Sequence, residues 1–414
     1  MLQPLELPLV YYSQYMNPDE TLRAIPDSPA FAKHSLAGAL RFYGRGTLPD
    51  GLGAERVLDR YLNAARITSS VLNRLILDNK PDIAVFHHGI YVPQGIVGEV
   101  CREAGVRVVN WGPAYRKCTV LFSHADTYHY TMIDEPAEYW NDLAWSEDKE
   151  QAIMGYLHSR WTGGNDWISF QSAAELDSSR IADWLGLERG KPIVGLLTNV
   201  IWDAQLHFRQ SAFPSMLEWL FASIDYFISR PDMQWVIRVH PAEVKGTVPS
   251  RQKVADEIAV RYGSLPDHIK LVLPEDKIST YALMSLCDSA LVFGTKTALE
   301  LACTGLPVVV AGEAWCRGKG FTIDVSDPDQ YRQVLESLPL ARRLPPEQVE
   351  LARKYAYHFF FRRMIPLKCL APISRFGPYK VNVTRLEQLM PGADPGLDLI
   401  CDGILNGKPF IYDT

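Results

Sequence analysis

The run from Trp235 to Phe321 constrains the fold more than any other part of this chain. Short apolar segments at 235–239, 269–273, 290–293 and 307–310 alternate there with stretches of helical pattern near 251–262, 279–287 and 297–304. Apolar runs this short, each separated from the next by a helix-length segment, mark parallel strands joined by crossover helices. The same rhythm continues upstream, with a strand at 193–197 and a helix near 212–229. The expected class is therefore α/β with a parallel sheet, whose ligands bind beyond the carboxyl ends of the strands.

A length of 414 residues exceeds one ordinary core and fits two domains. Ile83-Ala84-Val85-Phe86 is a strand ending in His87-His88-Gly89, a helix follows over 93–104, and Gly105 caps it before the strand Val106-Arg107-Val108-Val109-Asn110. This unit places a first α/β domain at 1–188. The second runs from 189 to 345, and a cleft between the two is the expected ligand site. Residues 346–414 form a C-terminal helix and tail packing back across both. A helical pattern over 345–367 is dense in aromatic and basic residues. Read as core, its aromatics pack inward. Read as a surface, 353–368 makes a peripheral contact with anionic headgroups.

A net charge of −6 gives no support to nucleic-acid binding. The seven cysteines are scattered without a CxxC pair, as expected of free thiols rather than a disulfide or zinc framework. No basic leader precedes an apolar core at the amino terminus, and no stretch reaches the about 20 apolar residues that span a bilayer. The expectation is a cytoplasmic enzyme, peripheral at the inner membrane face if the basic aromatic helix touches lipid.

Polar residues gather where the strands of the second half end. Arg238 and His240 flank one strand residue and share a face by strand alternation, a guanidinium and an imidazole suited to phosphate oxygens. Gly294-Thr295-Lys296-Thr297 lies between a strand and a helix start, where backbone N–H groups and cationic side chains form an anion-binding corner. Glu300, one helical turn on, either accepts from ribose hydroxyls or supports the helix. Glu313 and Lys319 lie on the loop after the next strand, and Glu275 follows the strand at 269–273. No DxD-like pair follows a strand, so a divalent metal is not expected and no cofactor is called for beyond a nucleotide-sugar co-substrate. In the N-terminal half, His88, His124 and Asp126 are the candidates for a general base. Arg116 and Lys117 are the candidates to hold an anionic acceptor.

The segments Arg238-Val239-His240-Pro241, Ser279-Thr280-Tyr281, Cys287-Asp288, Phe293-Gly294-Thr295-Lys296-Thr297-Ala298-Leu299-Glu300-Leu301-Ala302 and Gly305-Leu306-Pro307-Val308-Val309-Val310 resemble bacterial capsular polysaccharide biosynthesis proteins, among them the capsule Kdo transferases. The His-Pro pair is also similar to bacterial sialyltransferases. The likeness covers about residues 193–330. It implies a GT-B architecture of two Rossmann-like domains facing across a cleft, and a metal-independent glycosyltransferase for capsule, exopolysaccharide or lipopolysaccharide. It further implies a nucleotide-activated donor, such as a CMP-linked acidic sugar, and a glycan acceptor. His240 and residues 295–297 would bind the donor's phosphate, with Glu300 near its ribose. A non-hydrolysing nucleotide-sugar 2-epimerase, a CDP-polyol phosphotransferase and a non-catalytic glycan-assembly factor remain as alternatives.

Overall fold

A computed structural model describes residues 9–17, 25–162, 166–167, 174–203, 210–341, 343–372 and 379–413. The chain is α/β, as the periodicity implies, and forms two compact units. One comprises Met1–Phe42, Leu48–Met132 and Phe359–Thr414, and the other Tyr43–Thr47 and Ile133–His358.

The second unit is built on strands β4 (Ile193–Leu197), β5 (Gln234–Arg238), β6 (Ile269–Val272), β7 (Ser289–Val292), β8 (Val308–Val310) and β9 (Ile323–Asp324). They follow β1 (Ile83–His87), β2 (Arg107–Pro113) and β3 (Thr119–His124) of the first unit, which also supplies β10 (Ile365–Pro366). The six strands β4–β9 run parallel in the order β6-β5-β4-β7-β8-β9. This is the 3-2-1-4-5-6 order of the Rossmann fold, with its switch point between β4 and β7. Strands covered on both faces read as unbroken apolar runs, and every residue of β5, β7 and β8 is buried. The expected helices are present at Met216–Ile228, Val254–Tyr262, Thr280–Met284 and Thr297–Cys303.

The first unit carries a four-stranded sheet, β1-β2-β3-β10. β1 and β2 pair in parallel through the crossover helix Gln94–Glu103, with Gly105 at φ +73° ending it as expected. β2–β3 and β3–β10 are antiparallel, so this sheet is mixed. Its strand alternation is visible in the packing. Val108 joins a cluster with Cys101 and Val106 under the crossover helix, while Val109 joins Val120, Phe122, Ile365, Ile400 and Phe410 on the opposite face. The C-terminal helix Pro395–Asn406 covers that second face. At its first turn a Cβ on Gly396 would fall 1.9 Å from the Pro366 carbonyl oxygen, so only glycine permits this approach.

The divisions expected at 188 and 345 are not where the units part. Residues 133–188 cluster with the second unit because the helix Glu147–Thr162 is tied to it, Glu150 pairing with Arg353 and Arg160 with Glu300. Residues 359–414 join the first unit, where β10 extends its sheet and buried Arg363 donates to the carbonyls of Phe410 and Phe122.

The long aromatic helix is a correction. Regular α-helix covers Pro346–Tyr357, a π-helical turn follows at His358–Arg362, and the chain then enters β10. Tyr355, Phe359 and Phe360 are at most 1% exposed. A membrane-facing role for 353–368 needs those rings at the surface, and they are core. Among the described residues no helix is long and apolar enough to cross a membrane.

Candidate functional site

Three chain segments leave the carboxyl ends of β4, β5 and β7 and are stitched to one another across the switch point. The His240 backbone N–H, two residues past β5, donates to Thr198 Oγ1 just past β4 at 3.1 Å. Asn199 then bridges to the end of β7. Its Oδ1 accepts the Gly294 N–H at 3.3 Å and its Nδ2 donates to the Gly294 carbonyl. His240, Thr198, Asn199 and Gly294 thus form one continuous hydrogen-bonded rim at the place where open α/β sheets hold ligands.

The chemistry of the rim follows from its partners. His240 Nδ1 accepts the Ala242 N–H at 3.0 Å, which puts the imidazole proton on Nε2. Burial, then the charges of Lys296 and Arg238, lower the pKa of this ring to about 4. At neutral pH His240 is therefore an uncharged donor. Residues 294–297 are a partly exposed strip between the buried strand β7 and the buried start of the next helix. Thr295 Oγ1 accepts the Thr297 N–H and donates to the Thr297 hydroxyl, both at 3.3 Å, which holds the turn closed.

Lys296 sits over a buried charge network. Its Nζ is 3.0 Å from Glu300 Oε1, an i,i+4 pair whose carboxylate is 2% exposed. The other carboxylate oxygen takes the Tyr281 hydroxyl and Arg160 Nε, the latter at 3.2 Å. Arg160 is further paired with Asp166 and donates to the Tyr156 hydroxyl at 3.1 Å. Trp161 stacks on Tyr281 with centroids 5.7 Å apart. Burial alone would raise the Glu300 pKa, but Arg160 and Lys296 outweigh it and hold the carboxyl at about 2. Burial, reinforced by the Arg160 charge, brings Lys296 down to about 8. Two cations and two carboxylates leave the network neutral, so an anion at this rim is held by directed donors more than by net charge.

Of the candidate donor-binding residues, His240, Gly294, Thr295, Lys296 and Thr297 are gathered here. Four others are engaged by groups of the protein itself. Arg238 is 1% exposed and donates to the carbonyls of Leu273 and Ile278, anchoring the loop after β6. Glu300, 2% exposed, accepts from Lys296 and Tyr281 and is paired with Arg160. Glu313 is buried and accepts the Gln210 N–H. Lys319, also buried, donates to the Ile133 carbonyl at 2.7 Å and lies over the Trp140 ring at 4.6 Å. Glu275 is exposed beyond β6.

In the first unit the candidates are dispersed. His124 Nε2 meets the Lys408 carbonyl oxygen at 2.8 Å, and its ring stacks on Phe410 at 4.4 Å. Asp126 accepts the Thr127 N–H at 2.7 Å and lies 3.9 Å from Arg102. His88 packs instead against Tyr91, Tyr128 and His129, and burial, with the neighbouring His129, His87 and Arg41, lowers its pKa to about 3. An imidazole that weakly basic is a poor proton acceptor at pH 7. Arg116 donates to the Phe360 carbonyl at 2.9 Å and covers the Phe361 ring, and Lys117 is exposed.

Sequence reasoning missed Thr198, Asn199, Arg160, Asp166 and Tyr156. Thr198-Asn199 carried a usable signal, two polar residues directly after an apolar strand. Arg160 carried none, because its partner lies far along the chain.

No family model matches the chain, and no curated protein does. Solved structures similar to it include the KpsC beta Kdo 2,4 transferase of Thermosulfurimonas dismutans, with a TM-score of 0.40, 12% identity and coverage of 66% of this chain and 78% of that one. A UDP-GlcNAc 2-epimerase from Neisseria meningitidis bound to UDP-GlcNAc has a TM-score of 0.31 at 13% identity, covering 71% and 76%. The MnaA–UDP structure from S. aureus has a TM-score of 0.33 at 13% identity, covering 79% and 88%.

Proposed function

We propose that the second unit binds the phosphate of a nucleotide-activated sugar, and that the protein is a metal-independent GT-B-type glycosyltransferase acting on a glycan acceptor. The observation that carries this reading is the rim itself. A neutral His240 with its proton on Nε2 and a partly exposed Lys296 stand at the switch point of a Rossmann-ordered sheet, tied together through Thr198, Asn199 and Gly294. Preorganised N–H donors of this kind stabilise the charge that grows on a departing phosphate, and they do so without reorganising during the reaction. A nucleotide-sugar 2-epimerase would use the same corner and needs no acceptor. Incubation with sugar nucleotide alone, followed by NMR for the epimer, distinguishes the two.

Thermal shift against CMP, CDP, UDP, GDP and dTDP tests the site. A true ligand at about 100-fold excess over its Kd stabilises by about 2.7 kcal/mol, visible as a rise of several degrees. No shift with any nucleotide overturns the reading.

The Lys296 pKa gives a second expectation. The protonated ammonium adds its charge to the neutral donors of the rim, so nucleotide affinity is expected to be highest below pH 8 and to weaken as the pH rises through it. Isothermal titration at pH 7, 8 and 9 checks this, and Lys296→Met should flatten the profile. For the unliganded fold the sign is opposite. The folded state binds fewer protons than the unfolded one between about 8 and 10.5, so this group's destabilising contribution is relieved as pH rises through that window.

A further inference from the structure

The first unit holds a group of buried polar side chains that the fold leaves unsatisfied. Asn110 lies inside β2, paired with Phe86 of β1 and Ser123 of β3, and is 1% exposed. Neither its Oδ1 nor its Nδ2 has a hydrogen-bond partner among the described residues. Thr127, 3% exposed, stands at the start of the short helix Tyr128–Thr131, but its hydroxyl does not cap that helix and also has no partner among the described residues. His88 Nδ1 is a third such atom. The Gly89 backbone lies against two of these residues. Gly89 has φ +76°, and a Cβ there would fall 2.1 Å from Asn110 Oδ1 and 2.7 Å from Thr127 Cγ2. His88 itself is held at φ +67°, in the left-handed region that side chains avoid.

Each of these features is unfavourable to the fold. A buried amide without partners costs its desolvation, and so does a buried hydroxyl. In native proteins such groups are nearly always met by protein, water or a ligand. The set consists of an amide, a hydroxyl and an imidazole, with the His129 ring stacked on Tyr128 beside His88. Burial lowers the His129 pKa to about 4, so it too is uncharged at neutral pH. Arg41, whose charge reaches His88, lies over the Tyr91 ring, 5.1 Å from its centroid, and Asp126 beside Thr127 lies 3.9 Å from Arg102. Groups that both donate and accept, without charge, match hydroxyls rather than carboxylates or phosphates.

We propose that Asn110, Thr127 and His88 form a hydrogen-bonding site for the hydroxyls of an uncharged saccharide, the glycan partner of the reaction proposed above. The ligand class rests on that reading. The orphan atoms do not.

Saturation-transfer NMR on the full-length protein tests it, with the methyl glycosides of glucose, galactose and N-acetylglucosamine as probes and glucuronate and galacturonate as charged counterparts. Transfer to at least one neutral glycoside is expected, with at least a severalfold loss in Asn110→Leu and in Thr127→Val. Because each variant removes an unsatisfied polar group at nearly constant volume, its melting temperature is expected to equal or exceed that of the unchanged protein. Nucleotide-induced thermal shifts should persist in both variants, so a failure here is separable from a failure of the nucleotide site. The inference is overturned by transfer that survives both substitutions, by preference for the uronates, or by no transfer to any neutral glycoside. A several-degree loss of melting temperature in both variants also overturns it, since the groups would then be satisfied structurally, by water.

Discussion

Glu300→Gln is expected to lower the melting temperature of the protein by roughly 10 °C at pH 7. The carboxylate receives Lys296, Arg160 and Tyr281 while 2% exposed, so removing its charge leaves two mostly buried cations beside one remaining carboxylate, Asp166. Breaking a buried ion pair in this way costs about 3–5 kcal/mol, and each kcal/mol shifts the midpoint by about 2–4 °C in a unit of this size. The loss should narrow at pH 9. Lys296, with its pKa near 8, is then mostly neutral in the unchanged protein, so the substitution deprives Arg160 alone of its partner. Calorimetry at the two pH values measures both effects. A variant as stable as the parent at pH 7 would mean that the carboxylate is not a structural hub, and would return it to the ligand.

The second large effect concerns turnover. His240→Ala is expected to reduce sugar transfer by about 10²–10³-fold, the range seen when one preorganised donor to a developing oxyanion is removed. His240→Gln, whose amide N–H reaches toward the position of Nε2, should retain most of the rate. That ranking separates a donor from a base, because glutamine can donate but cannot take up a proton. The pH profile adds an independent check. With a pKa of about 4, His240 should impose no inflection between pH 6 and 8. An inflection near 6.5 that disappears in the alanine variant would assign it proton transfer instead.

Much of the second unit was legible from its residues, and the reasons are local. Apolar runs such as Val308-Val309-Val310 are short, uninterrupted, β-branched and separated by helix-length segments, and that pattern favours a covered parallel sheet. The polar exits at His240 and Gly294–Thr297 were legible because strand ends are where such sheets bind. Partner choice was not. Strand alternation placed Arg238 with His240, yet its guanidinium turns to the carbonyls of Leu273 and Ile278. The two glycines around Lys319 suggested close approach to a ligand, yet the ammonium lies over Trp140 and Tyr355. A charged side chain on an isolated segment carries no mark of whether water, a ligand or a distant backbone will receive it.

The alternation of strands and helices in the parallel sheet and its polar exits at His240 and Gly294–Thr297 came from the sequence alone, because periodicity and turn chemistry act over a few neighbouring residues. Three things were decided only by tertiary structure: the union of Arg160 with Glu300, the transfer of residues 359–414 to the first unit's sheet, and the burial of Asn110 and Thr127 without partners. Each depends on which distant segments meet once loops close, and that is set by the packing of the whole unit rather than by any window of the chain.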